Sequence, residues 1–359
     1  MAEQRRVIAH LDIDAFYASV ELQRHPEARG RPLVVAGTGP RAVVTTASYE
    51  ARRYGIESAM PAARARGLCP DAIFLAPDFT AYRAKSREVW DIVRTRFATV
   101  GQVGIDEAYV DVSDLARPLP ALRDLVAELR GRTGLVMSVG IGPSRLVAKT
   151  ASAAFKPAAF VAMGREQAAA HFAPYPVRVL QGIGPKTAER LAALGITTVA
   201  ELQRTPVALL ADRFGQRHAA ALGERAYFHD DTPVETTRVA KSRSSEITFP
   251  TDISDVAQLE ETLVELAREL ADGLQARALR ARTIGVKVRL DDWTTVTRAR
   301  TLDRFVDDGP TISAVGLELL RAYAPPRPVR LLGVRVASFA DEQRPAAAAC
   351  DQRQLSLPL

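Results

Sequence analysis

Apolar and polar residues alternate with a period near two in some runs of the chain and near 3.6 in others. The two periods predict interleaved strands and helices. The run Val7-Ile8-Ala9-His10-Leu11-Asp12-Ile13-Asp14 reads as a first strand within 1–14. A helix is predicted from Ala15 to Gln23, ending before His25-Pro26, because proline disfavours helix in the residue that precedes it. Pro32–Ala36 and Ala42–Thr46 read as strands, and Tyr49–Tyr54 and Pro61–Arg66 as short helices with Gly55 as a stop. An amphipathic helix over Ala81–Thr99, a strand through 104–112 and a helix near Leu119–Arg130 follow. Next come a strand at Val136–Ile141 and a helix capped by Ser144, which carries Lys149 towards Lys156-Pro157.

Beyond residue 165 the character changes twice. Within 178–203 the order Gly182-Ile183-Gly184-Pro185-Lys186 between apolar periodic segments predicts two helices joined by a hairpin. Its glycines let the backbone come near a phosphate, Pro185 at the first helical position leaves N–H groups free to face it, and Lys186 adds charge. From Lys241 to Phe339 strands are predicted at Ser242–Phe249, Thr283–Leu290, Trp293–Leu302 and Val329–Ala337, with helices at Val256–Arg277 and Thr311–Tyr323. That order is βαββαβ. Leu259, Leu263, Leu266, Leu270 and Leu274 form one stripe of the first of these helices. In 283–290, alternation puts Ile284, Val286, Val288 and Leu290 on one face and Lys287 and Arg289 on the other; the hairpin register is expected to set Arg298 and Arg300 beside them for phosphate contact. Strands alternating with helices in this way predict an α+β protein with helices on one sheet face. Residues 340–353 have the composition of a flexible linker, and the terminal Gln354-Leu355-Ser356-Leu357-Pro358-Leu359 offers apolar residues with no core to join, hence a partner groove.

At 359 residues the chain has room for two to four domains, and 47% hydrophobic content is ordinary for a globular protein. A net charge of +6 and a pI near 9.5 favour a polyanionic partner. Only six of the 48 basic residues are lysine, at 85, 149, 156, 186, 241 and 287. Two cysteines, Cys69 and Cys350, make neither a disulfide framework nor a metal cluster. With no apolar leader and no run of spanning length, the chain is expected to be cytoplasmic, with no membrane association.

The chemistry gathers at Gly104-Ile105-Asp106-Glu107-Ala108-Tyr109-Val110-Asp111-Val112. In a regular strand Asp106 and Glu107 would point to opposite faces. The Val103-Gly104 step predicts a turn or bulge that lets both lean one way. If this strand pairs with 7–14, Asp12 comes within reach of Asp106, since neighbouring strands lie about 4.8 Å apart. Three carboxylates there suit Mg²⁺. Two such ions about 3.5–4 Å apart would activate a 3′-hydroxyl and steady a leaving pyrophosphate.

Three ordered segments, Leu11-Asp-Ile-Asp-Ala-Phe-Tyr-Ala-Ser-Val-Glu21, Thr45-Thr-Ala-Ser-Tyr-Glu-Ala-Arg52 and Ile105-Asp-Glu-Ala-Tyr-Val-Asp-Val112, resemble motifs of the Y-family DNA polymerases, in particular the bacterial polymerase IV (DinB) branch. The resemblance runs over almost the whole chain. It implies a multidomain right-hand polymerase: palm at 1–14 and 81–165, small fingers at 15–80, a helix-hairpin-helix thumb at 166–240, a βαββαβ little finger at 241–339, and a tail at 340–359. It further implies that Asp12 and Asp106 bridge two Mg²⁺ ions (Mn²⁺ can substitute), with Glu107 and the Ile13 carbonyl completing the site. Tyr17 matches the steric gate against a ribose 2′-hydroxyl, so Tyr17→Ala is expected to admit ribonucleotides with little loss of fold. Phe16, Tyr49, Arg52 and Lys156 match nucleotide contacts. Gly182, Gly184, Lys186, Lys287, Arg289, Arg298 and Arg300 fall in DNA-binding regions. Gln354, Leu355, Leu357, Pro358 and Leu359 match the sliding-clamp-binding peptide. The implied activity is error-prone translesion synthesis on primer-template DNA with dNTPs, by a monomer without proofreading. Three positions depart from the pattern: Ser48 for Asn, Gly104 for Ser, and Lys156-Pro157-Ala158-Ala159 for Lys-Pro-Asn-Gly. Losing Asn-Gly removes a favoured turn. A catalytically degenerate DNA- and clamp-binding factor is the alternative, and a two-metal nuclease a third reading.

Overall fold

The computed structural model describes residues 6–237 and 239–340. Along the chain lie β1 (Ile8–Ile13), α1 (Phe16–Arg24), β2 (Leu33–Ala36), β3 (Val44–Ala47), α2 (Tyr49–Arg52), α3 (Ala62–Leu68), β4 (Ile73–Leu75) and α4 (Phe79–Arg96). Then follow β5 (Val100–Gln102), β6 (Glu107–Asp111), α5 (Pro118–Thr133), β7 (Met137–Gly142), α6 (Arg145–Ala154), β8 (Phe160–Ala162) and α7 (Arg165–His171). Four further helices, α8 (Pro185–Ala192), α9 (Val199–Arg204), α10 (Val207–Phe214) and α11 (Gln216–Ala226), precede β9 (Ser242–Ile253). The last elements are α12 (Val256–Gln275), β10 (Ala281–Leu290), β11 (Thr295–Val306), α13 (Gly309–Tyr323) and β12 (Val329–Phe339).

The chain divides into two compact units, 1–31 with 78–236, and 32–77 with 237–359. In the first, one sheet runs β5-β6-β1-β7-β8. β1 sits at its centre, antiparallel to both β6 and β7, with Asp12 opposite Glu107 on one side and Ser138 on the other. α6 packs closely on this sheet because residue 140 is glycine: a Cβ there would stand 2.0 Å from the Ala148 carbonyl oxygen. The helical part of this unit buries Phe172, Leu191, Leu210, Leu222 and Phe228 in one core with Leu146 and Val147 of α6. Its hairpin has the short 3-10 turn Val177–Val179 as its leading arm and α8, opened by Pro185, as its second. Gly182 at φ +91° occupies a conformation that glycine alone adopts cheaply, while a Cβ there would also press the Arg225 guanidinium at 3.3 Å.

In the second unit the order β9-α12-β10-β11-α13-β12 reproduces the predicted βαββαβ series, and the sheet runs β11-β10-β12-β9, all antiparallel. The leucine stripe of α12 is buried, as are Ile284, Val286, Val288 and Leu290. The hairpin register departs from expectation. Thr297 and Thr295 lie opposite Lys287 and Arg289, whereas Arg298 and Arg300 lie opposite Val286 and Ile284. Directly paired residues share a face, so Arg298 and Arg300 stand on the helix side: Arg300 pairs with Glu318 of α13 at 2.5 Å, and the Arg298 guanidinium lies over Tyr323 at 5.4 Å. The charged positions beside each other on the open face are instead Lys287, Arg289 and, across from Gly285, Arg335. Residues 32–77 form a second small sheet, β3-β2-β4.

Candidate active site

The central strand determines the site. Because β1 alternates, His10 and Asp12 project to one face, and the antiparallel pairing with β6 delivers Glu107 to it. Asp106 precedes β6, in the turn that joins it to β5. Val103 and Gly104 both donate their amides to the Glu107 carbonyl, at 3.1 and 3.2 Å, closing that turn as the sequence predicted. α4 braces it from behind, with Ser86 Oγ and Trp90 Nε1 (2.9 Å) both donating to the Ile105 carbonyl. On the near side the Ile13 amide donates to the Asp106 carbonyl at 3.0 Å. Gly104 leaves room for the carboxylates: a Cβ would lie 3.0 Å from Glu107 Cγ and 3.3 Å from Asp106 Oδ1.

The electrostatics differ from one carboxylate to the next. Burial, together with the charges of Asp12 and Glu107, pushes Asp106 up to about 6. Burial would also raise Glu107, but its hydrogen bond with His10 and the charge of Lys149 outweigh that and hold it at about 2. Potential ligand atoms of His10, Asp12 and Glu107 lie within 4.8 Å of one another. Burial first, and then the neighbouring charges, raise Asp106, and the carboxylates of Asp12, Asp106 and Glu107 are hard oxygen donors of the kind a divalent cation takes. Two ammonium groups also stand here. Lys149 on α6 donates to Glu107, and Lys156 donates to Asp12.

Two of these groups were not anticipated as site residues. His10 is fully buried; its Nε2 lies 3.3 Å from Glu107 Oε2 and 3.4 Å from Lys149 Nζ, and its Nδ1 lies 2.7 Å from Ser152 Oγ. Burial pushes the imidazole pKa down, against the pull of Glu107. The signal was present, since His10 and Asp12 sit two apart in a strand and therefore share a face. Lys149 carried no such signal, because its approach depends on the Gly140 contact.

Tyr17 and Phe16 open α1 directly after β1. The Tyr17 ring stacks on Tyr82 (centroids 4.3 Å apart, planes at 20°) and meets Phe79 edge-on at 6.0 Å. Tyr82 is itself fixed by its hydroxyl, which donates to Glu21 Oε1 at 2.6 Å. In the other unit, α2 sets Tyr49 and Arg52 one turn apart. Arg52 Nε donates to the Ala47 carbonyl at 3.0 Å, and the guanidinium lies 4.8 Å from the Tyr49 ring centroid. Ser48 caps α2 by accepting from the Ala51 amide at 3.3 Å, work that an asparagine would do equally well. Lys287 and Arg289 are on the open sheet face, where Lys287 pairs with Glu246 at 2.8 Å and Arg289 Nε donates to Thr295 Oγ1 at 2.9 Å. Gly182, Gly184 and Lys186 belong to the hairpin. Gln354, Leu355, Leu357, Pro358 and Leu359 lie outside the described residues.

Comparison with known proteins adds the following. Residues 11–153 match the model of the impB/mucB/samB family, and 240–357 match its C-terminal domain. The chain is 42% identical to "DNA polymerase IV" of Methanoculleus marisnigri, covering 94% of this chain and 95% of that one. It is also 42% identical to "DNA polymerase IV" of Alkalilimnicola ehrlichii, over 94% of this chain and 96% of that one. In fold it is similar to a solved Y-family DNA polymerase chimera, with TM-score 0.84 at 24% identity, over 93% of this chain and 99% of that one. Among the described residues no helix is long and apolar enough to cross a membrane.

Proposed function

The chain belongs to the impB/mucB/samB family, and from that premise we propose that it is a template-directed DNA polymerase of the polymerase IV type, adding dNMP to a primer 3′ end with release of pyrophosphate. The observation that carries this reading is the pairing of Asp12 with Glu107 across β1 and β6, their ligand atoms within 4.8 Å of each other and of His10, next to the buried Asp106, which burial and the charges of these two carboxylates push up to about 6. Asp12, Asp106, Glu107 and the Ile13 carbonyl would hold two Mg²⁺ ions, which Mn²⁺ can replace. Bound there, divalent ions favour the ionised 3′-hydroxyl and offset charge on the phosphates.

The protein's own groups divide the remaining work. Glu107, held at about 2, is ionised at any working pH. Lys156 is proposed as a nucleotide contact, its single charge suiting a phosphate oxygen, and Arg52 and Tyr49 are proposed as nucleotide contacts in their own unit. Phe16 and Tyr17 would bound the sugar. Positioning and charge then supply most of the rate. The partition into palm (1–14, 81–165), fingers (15–80), thumb (166–240) and little finger (241–339) is part of this proposal. So are error-prone lesion bypass without proofreading, action as a cytoplasmic monomer, and clamp binding through 354–359.

Primer extension with Mg²⁺ and dNTPs tests the reading. Failure of the folded, DNA-binding protein to extend would favour the alternative, a non-catalytic DNA- and clamp-binding factor, whose one support is the Lys156-Pro157-Ala158-Ala159 loop. Degradation of the primer would point to a nuclease. The open sheet face gives a second expectation. Arg289→Ala should weaken primer-template binding and lower the salt slope by about one, whereas Arg300→Ala, facing α13, should leave both unchanged. Fluorescence anisotropy across a salt series decides; equal effects of the two would place the DNA elsewhere.

A further inference from the structure

We propose that Asp14 is a positioning residue for the incoming nucleotide: with Ser138 it forms the seat that fixes the 156–159 loop and thereby aims Lys156. The inference rests on the reading of Lys156 as a triphosphate ligand. Asp14 follows β1 directly and is 3% exposed. Ser138 Oγ donates to its carboxylate, at 2.8 Å from Oδ1 and 3.0 Å from Oδ2, and the Ala158 amide donates to Oδ2 at 2.7 Å. Ser138 Oγ in turn accepts from the Ala159 amide at 3.1 Å. The Asp14 backbone is held as well, its amide donating to the Val136 carbonyl at 2.9 Å and its carbonyl accepting from Ser19 Oγ at 2.7 Å.

The loop needs such a seat. Ala158 has φ +55°, a left-handed conformation that asparagine and glycine adopt far more readily than alanine. Here neither follows Pro157, so local preference works against the observed turn. The Ala158 amide bound to the buried carboxylate and the Ala159 amide bound to that carboxylate's hydroxyl partner fix it instead, and an amide hydrogen bond to a carboxylate is among the stronger ones. Burying a carboxylate is costly unless it is bonded on all sides, which argues that Asp14 is placed for this contact rather than for bulk. Lys156, two residues before Ala158, reaches Asp12 from the loop so fixed.

Asp14→Asn keeps the shape but sets an amide N–H₂ or a weaker neutral acceptor against the Ala158 amide. In single-nucleotide insertion it should raise the dNTP KM about tenfold, the scale of one charge-assisted hydrogen bond, with a smaller change in kcat and unchanged primer-template affinity. In a Lys156→Ala background Asp14→Asn should add nothing further, because the two act as one unit. Ser138→Ala should shift KM the same way by less, and it decides the matter should Asp14→Asn fail to fold; melting temperatures identify that case. A wild-type dNTP KM in folded Asp14→Asn, or full additivity with Lys156→Ala, overturns the proposal. A wild-type KM in Lys156→Ala alone overturns it through its premise, and a wild-type protein that does not extend primers removes the polymerase reading itself.

Discussion

Asp106→Asn is expected to abolish primer extension and, at the same time, to raise the melting temperature of the protein without Mg²⁺. The loss of activity should be roughly 10³-fold or more, because a divalent cation's stabilisation of the reacting oxygens is worth several kcal/mol and this residue is proposed as one of those that would hold it. The gain in stability follows from the sign of the pKa shift. Asp106 has an ordinary value of 3.8 and is pushed up to about 6 in the folded protein, first by burial and then by Asp12 and Glu107. Below pH about 4 the residue is protonated whether the chain is folded or not, and its burial is least costly. As pH rises towards 6 the unfolded chain has released the proton while the folded one still holds it, so stability falls, and above 6 the full cost is present. The neutral asparagine carries none of this cost. The gap in melting temperature between variant and wild type should therefore open between pH 4 and 6 and persist at pH 8. Added Mg²⁺ should narrow it by stabilising the wild type alone, since a ligand that binds only the folded state stabilises it by mass action. Full extension by the variant would remove Asp106 from the chemistry. An unchanged melting temperature at pH 8 would mean that burying the Asp106 carboxylate beside Asp12 and Glu107 costs the fold nothing.

Two lysines bring positive charge to these carboxylates. Lys149 and Lys156 sit against Glu107 and Asp12, the carboxylates that would otherwise face each other across the β1–β6 junction. For Lys156 this contact bears on its proposed task. An ammonium has three N–H donors, so Lys156 would turn part of its hydrogen bonding from Asp12 to the triphosphate as the nucleotide binds. Lys149 is different: it has His10 as a second neighbour and lies on a helix locked to the sheet at Gly140, so it has less freedom to leave.

How much of this could be read from the sequence depended on the range of the interaction. β1, α12 and β10 were legible because their buried faces repeat over six or more residues. β4, β5 and β8, three residues each, passed unread, since a run that short shows no period. The carboxylates were legible because strand alternation and one turn suffice to bring them together. Two features failed for want of non-local information. The register of β10 and β11 could not be counted from the sequence alone, and a shift of one residue is enough to move Arg298 and Arg300 to the helix face. The seat of the 156–159 loop joins Asp14, Ser138 and Ala158, residues far apart in the chain, and no local pattern announces it.

Tyr17→Ala should cost the protein most of its discrimination against ribonucleotides, by roughly 10²-fold, the scale on which an enclosing pocket rejects a group it has no room for. What makes the ring an effective barrier is its support. It is 8% exposed, stacked on Tyr82, met edge-on by Phe79, and Tyr82 is in turn tied to the buried Glu21. A ring so held cannot swing aside to admit a 2′-hydroxyl without breaking several contacts. That support also corrects the expectation of little loss of fold: removing a buried aromatic from a packed cluster costs about 3–5 kcal/mol, so Tyr17→Ala should melt several degrees lower. Tyr17→Phe separates the two effects, because it keeps the ring, the stacking and the barrier, and should retain both stability and selectivity. The measurement is the ratio of kcat/KM for dNTP and rNTP in the three proteins, taken well below the lowest melting temperature. Equal ratios in Tyr17→Ala and wild type would show that the ring is core packing and nothing more. A ratio lost in Tyr17→Phe as well would move the discrimination from the ring to its hydroxyl, which burial holds neutral by pushing its pKa up to about 12.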